Sequence, residues 1–90
     1  MAGDFLHNRE YLSAGDVVQL DCDTQCNFML MSDSDFSSYR NGRSHHYHGG
    51  FFKMFPARIT VPSTGHWNWV LDLGGGSANI RYSVSYIKRQ

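Results

Sequence analysis

The side chains most able to do chemistry are crowded into one stretch, Ser32 to Gly50 (SDSDFSSYRNGRSHHYHGG). It holds Tyr39, Arg40, Arg43, His45, His46, Tyr47 and His48. Arg40 and Arg43 are permanently charged, and each can present a planar fork to a phosphate or carboxylate. Tyr39 and Tyr47 add aromatic faces and hydroxyls. Together with His66 from further along the chain, Tyr39, Arg40, Arg43, His45 and Tyr47 form the expected ligand-binding set, and the expected ligand is a small anionic or nucleotide-like molecule. The competing reading is structural: Arg40 pairs with Asp33 or Asp35, and the tyrosines cover the edge of the core. A second chemistry would use the histidines. His46 and His48 are two apart, so an extended strand points both to one side, and His66 could complete a three-histidine metal site. No carboxylate lies within the histidine run, and no metal or other cofactor is expected. Hydrolysis would need Ser44 or Ser63 as nucleophile, and neither sits in an elbow motif. No catalytic residue is assigned.

The elements that position this stretch are strands. Ninety residues make one domain, spanning 1–90, whose core must be compact. Asp16 to Cys22 alternates, with Val18, Leu20 and Cys22 on one face. Asn27 to Met31 (NFMLM) is apolar on both faces, which predicts a central strand. Ala57, Ile59 and Val61 share a face between Pro56 and Pro62. His66 to Leu73 places Trp67, Trp69, Leu71 and Leu73 inward, with His66, Asn68, Val70 and Asp72 outward. Asn79 to Tyr86 alternates again, and with the preceding strand it predicts a closing hairpin around Gly74–Ser77. Phe5 to Gly15 is weakly patterned and suits a lead-in strand or a helical turn. Between these strands, Asp33 or Ser34 can cap a short helix. Its face carries Phe36, Tyr39 and Arg40, and Gly42 is placed to end it with φ > 0. Phe51, Phe52, Met54 and Phe55 form an apolar cluster expected to lid the core, or to dock a protein partner or a second copy. The fold class expected is all-β: a small antiparallel β-sandwich of jelly-roll-like character with one short helical turn.

Composition excludes several partners. Residues 1–35 carry seven acids and one base, and residues 36–90 carry seven bases and one acid, so the two parts stand at −6 and +6. That asymmetry favours an anion-binding face, although strands from both parts interleave in a sandwich. The overall pI near 7.0 argues against a nucleic-acid partner. No apolar run approaches the ~20 residues a membrane helix needs. No signal peptide is evident either, so the expected location is cytoplasmic, with Cys22 and Cys26 reduced. Their C-x-x-x-C spacing does not suit zinc, and a disulfide between them would fit a secreted chain. Gly74–Ser77 is followed by no helix, so it does not read as a phosphate loop. Trp67 and Trp69 read as core rather than as a sugar platform.

The run Tyr39, Arg40, Gly42, Arg43, His45, Tyr47, Gly49 and Gly50, followed downstream by Gly65, His66 and Trp67, resembles the bacterial domain of unknown function 1883 (DUF1883). The likeness extends through FLH, AGDVVQL and VPSTGHWNWVLDLGG to nearly the whole chain. It implies a small β-sandwich that stands alone or precedes a TIR domain, and hence a TIR-domain association. It implies no activity, catalytic residue or cofactor. His46 and His48 are additions to the pattern.

Overall fold

A computed structural model describes residues 5–72 and 81–88. Seven strands and one helix follow in the order β1 (Phe5–Leu12), β2 (Val17–Cys22), β3 (Cys26–Met31), α1 (Asp33–Arg40), β4 (His48–Phe52), β5 (Ala57–Thr60), β6 (Gly65–Asp72) and β7 (Tyr82–Ile87). The strands form two antiparallel sheets, β1-β6-β3-β4 and β5-β2-β7. The chain is an all-β sandwich with one short helix, as the alternating segments predict.

The core between the sheets is built from the inward positions of both. Leu12, Phe28, Leu30, Trp69 and Leu71 come from the first sheet. Val18, Leu20, Ala57 and Ile59 come from the second, and Val61 follows β5. Phe52, Phe55 and Trp67 pack half-buried around them. Phe51 and Met54, by contrast, are exposed, so only half of the Phe51–Phe55 cluster lids the core.

The outer face of the first sheet carries a second core. There α1 lies across β6 and β3 and buries Val70, Met29, Met31 and its own Tyr39, with Phe5 and Phe36 at the border. An isolated helix of eight residues is too short to persist in water. Burying its apolar face, worth roughly 1.5–3 kcal/mol for each large side chain, is what holds it. The same packing explains why NFMLM is apolar throughout: β3 is interior to its sheet, covered by β2 and its neighbours on one face and by the helix on the other.

Two expectations change, and one open alternative is resolved. Asn68 and Val70 point away from the intersheet core, but they are buried beneath α1 rather than solvated. The lead-in segment is a full eight-residue strand, paired along its length from Phe5↔Asp72 to Leu12↔Gly65. Its weak pattern reflects an edge position in which most side chains are exposed. Finally, β6 and β7 are not a hairpin. They lie in opposite sheets and meet face to face, with Trp69 Nε1 donating to Tyr86 Oη at 2.8 Å. Leu73, the Gly74–Ser77 loop and the Asn79–Ile80 start of the last expected strand lie outside the described residues. Among the described residues, no helix is long and apolar enough to cross a membrane.

Candidate functional site

The helix and the loop after it carry most of the expected site, so their caps decide its geometry. Ser32, rather than Asp33 or Ser34, is the N-cap: its hydroxyl oxygen accepts from the Asp35 amide at 3.2 Å and donates to Asp35 Oδ2 at 2.9 Å. Asp33 is already committed elsewhere. Its two oxygens accept from Arg9 Nε and Nη2 at 2.9 and 2.8 Å, and Oδ1 also accepts from Asn68 Nδ2 at 2.8 Å. These hydrogen bonds hold the Asp33 carboxyl well below the usual carboxylate range. Asn68 extends the chain of contacts, with its Oδ1 2.8 Å from His7 Nε2. The His7 ring in turn stacks on Phe36 with centroids 3.8 Å apart. A buried amide thus ties β1, β6 and the start of α1 together, which explains a polar residue 1% exposed beneath a helix.

At the other end, Gly42 adopts φ 71°, its N–H reaches Tyr39 O at 3.2 Å, and the Arg43 N–H reaches Ser38 O at 2.8 Å. This is a Schellman closure, as the position of Gly42 predicts. It places Arg40 and Arg43 on either side of one tight turn. Arg40 is exposed and its Cζ stands 5.7 Å from the centre of the Phe36 ring. Arg43 is exposed to solvent.

The chain then runs back along the helix. The His46 amide donates to Asp35 Oδ1 at 3.2 Å, and this contact, ahead of the one from Ser32, lowers the Asp35 pKa. The His45 ring meets Tyr39 edge-on at 5.1 Å and Tyr47 at 5.4 Å. Tyr39 itself is buried, and its hydroxyl donates to Asp72 Oδ2 at 2.5 Å. Burial first, and the Asp72 contact second, push its pKa above the ordinary 10.0. Tyr39 is therefore the floor under His45, not an available donor.

Two groups result. Tyr39, His45 and Tyr47 form a continuous aromatic row, with Arg40 and Arg43 at the helix end beside it. His66 belongs to the other end. Its ring packs edge-on against Tyr11 of β1 at 5.1 Å, in the register pair Tyr11↔His66, near the start of the helix. The helix axis carries Arg40 about 10 Å beyond Asp33. His48 is separate again, edge-on to Trp67 at 5.9 Å. Among the described residues, no group of three or more His, Cys, Asp or Glu comes together to hold a metal ion, so His46, His48 and His66 do not assemble. The residue that the sequence reading missed is Asn68. Its position between Trp67 and Trp69 marked it only as outward-facing.

Two titrations bear on stability at high pH. Burial, then the neighbouring Cys22, pushes the Cys26 thiol from 9.0 up to about 12. A raised folded-state pKa favours the neutral form in the folded chain. The associated stability is full below the unfolded value and is lost as pH rises toward the folded one. For Cys26 that window opens at 9.0, and for Tyr39 at 10.0. Urea denaturation should therefore give a flat free energy up to about pH 9 and a steady decline above it. In Cys26→Ala the decline should begin about one unit later. A profile flat through pH 11 would contradict both assignments.

An aromatic row at the end of a short helix, laid on a seven-stranded sandwich, defines a small β-sandwich domain with a helix docked on one sheet. The family is DUF1883, a domain of unknown function, which matches residues 4–90; the chain belongs to it. No curated protein and no solved structure matches the chain.

Proposed function

We propose that this domain is a non-catalytic binding or sensing module that takes a small anionic, nucleotide-like ligand on the rim formed by Arg40, Arg43, His45 and Tyr47. The observation behind this reading is where the nearby carboxylates are spent. Asp33 is held by Arg9 and Asn68, and Asp35 by Ser32 and the His46 amide. Neither is the partner of Arg40 that the structural reading requires. Among the described residues the ion pairs are Arg9–Asp33 and Lys88–Asp16, and neither involves Arg40 or Arg43. Two guanidinium groups beside half-exposed His45 and exposed Tyr47 offer forked donors and a ring face to the same ligand. The domain would act in the cytoplasm, where a TIR-containing protein is the expected partner.

Titration calorimetry of the wild type and of Arg43→Ala against nucleotides and inorganic phosphate tests this. Loss of a charge-assisted fork should weaken binding by about 10- to 100-fold, and the wild-type affinity should fall with added salt. Identical isotherms for the two proteins with every ligand would remove the proposal.

A second reading rests on the exposed apolar side chains of the β4 region, where Phe51 is 53% and Met54 84% exposed. They suit docking of a protein partner or a second copy. Light scattering that shows only monomer at high concentration would exclude self-assembly.

A further inference from the structure

The two cysteines lie in opposite sheets of the sandwich, on either side of one turn. Cys22 is the last residue of β2 in one sheet, and Cys26 is the first of β3 in the other. The three residues between them turn the chain from sheet to sheet. That turn is held from outside, because the Asp23 amide donates to Arg81 O at 3.1 Å and the Arg81 amide donates to Asp23 Oδ1 at 3.1 Å. Both thiols are free, and Cys22 packs against the core cluster that contains Cys26. They differ in access. Cys26 is 1% exposed within the intersheet core, whereas Cys22 is only half-buried. Cys22 also lines a cleft of about 350 Å³, together with Asp21, Asp23, Arg81, Tyr82 and Ser83.

We infer that Cys22 and Cys26 are a redox-modification site, a dithiol that a small disulfide converts into a covalent link between the two sheets. The cleft admits the reagent to Cys22. The Cys22 thiolate attacks one sulfur of the small disulfide, a protein–reagent S–S bond forms, and the reagent's own S–S bond breaks to release one thiol. Cys26 then loses its proton and attacks the Cys22 sulfur. The protein disulfide forms and the second reagent thiol leaves. Two electrons and two protons pass from the protein to the reagent, which ends as two thiols. Cys22 is the entry thiol because it is the one the cleft reaches. Cys26 is the resolving thiol because it stands just across the three-residue turn, inside the core cluster against which Cys22 packs. The cleft carries the two carboxylates Asp21 and Asp23 against the single guanidinium of Arg81, so a cationic disulfide such as cystamine is the matched probe. The product would lock the end of β2 to the start of β3. Since the closed loop is only a few residues long, the gain is modest, a rise in Tm of about 5–10 °C.

The test incubates the full chain with cystamine and follows intact mass, alkylatable thiols and Tm. The wild type should lose two hydrogens and both alkylatable thiols without retaining an adduct, and its Tm should rise; dithiothreitol should reverse all three. Cys26→Ala should stop at one stable cysteamine adduct on Cys22. Cys22→Ala should leave Cys26 unmodified. The proposal falls if both wild-type thiols stay alkylatable, if the wild type keeps the adduct without closing the ring, or if Cys26 in Cys22→Ala reacts as fast as the wild-type pair. The wild-type arm needs neither variant to fold.

Discussion

Gly49→Ala should cost about 2–5 kcal/mol, a large share of the stability of so small a domain. Gly49 lies in β4 opposite Met29, with φ 103°. That backbone conformation disfavours any side chain by about 1–2 kcal/mol. Space is the larger obstacle. A Cβ there would overlap the Phe28 carbonyl oxygen and stand 2.7 Å from Ile59 Cδ1. The first is backbone of the adjacent strand, which cannot swing aside. The second belongs to β5, so the clash also wedges the two sheets apart at the edge where β4 and β5 meet. Overpacking of this kind adds about 1–3 kcal/mol. A 90-residue domain holds about 5–13 kcal/mol in total. Gly42→Ala is the matched control: φ is 71° but nothing lies within 4 Å of the added carbon. It should lose only the conformational part, about 1–2 kcal/mol. Urea denaturation of the two variants side by side decides the matter. Equal losses would mean that the sheets do not approach closely at Gly49.

Phe28→Ala should cost about 3–5 kcal/mol, whereas Phe51→Ala should stay within about 0.5 kcal/mol of the wild type. Phe28 is 0% exposed in the centre of β3, with its ring 6.1 Å from that of Trp69. Removing it leaves a cavity between the sheets that the surrounding strands cannot close without breaking their ladders. Phe51 is 53% exposed on the edge strand of the same sheet, so little is buried to lose. The midpoint of urea unfolding should fall steeply for the first variant with an unchanged slope. A Phe51→Ala variant as unstable as Phe28→Ala would show that the β4 face is covered in solution, which is what the assembly reading needs.

Alternation located four of the seven strands, β2, β5, β6 and β7, and a continuous apolar run located a fifth, β3. For β2, β5 and β6 the side chains that alternate in sequence, Val18 and Leu20, Ala57 and Ile59, Trp69 and Leu71, are those buried between the sheets. Gly42 announced the end of the helix for the same kind of local reason, since a left-handed residue is needed there and glycine adopts it freely. The hairpin expected from β6 and β7 failed because an apolar face is satisfied equally by a neighbour in its own sheet and by one stacked opposite. Alternation says which way a side chain points, not which strand it meets. Phe5–Leu12 was faint for a related reason: an edge strand buries few of its side chains and so leaves little pattern.

The candidate site divides along the same line. The sequence determined the reactive inventory, since Arg40, Arg43, His45 and Tyr47 stand within eight residues and a helix end must hold the first two together. It could not say that Tyr39 is a buried floor, that His66 sits with Tyr11 at the far end of the helix, or that Asn68 anchors Asp33. Nor could it show that Cys22 and Cys26 stand in opposite sheets and pack into one core. Local order is written in neighbouring residues, whose spacing fixes periodicity, caps and turns. The tertiary structure decided which acids were already engaged and which cations, among the described residues, were left without one, because those pairings join residues up to 72 positions apart and depend on which strands lie side by side.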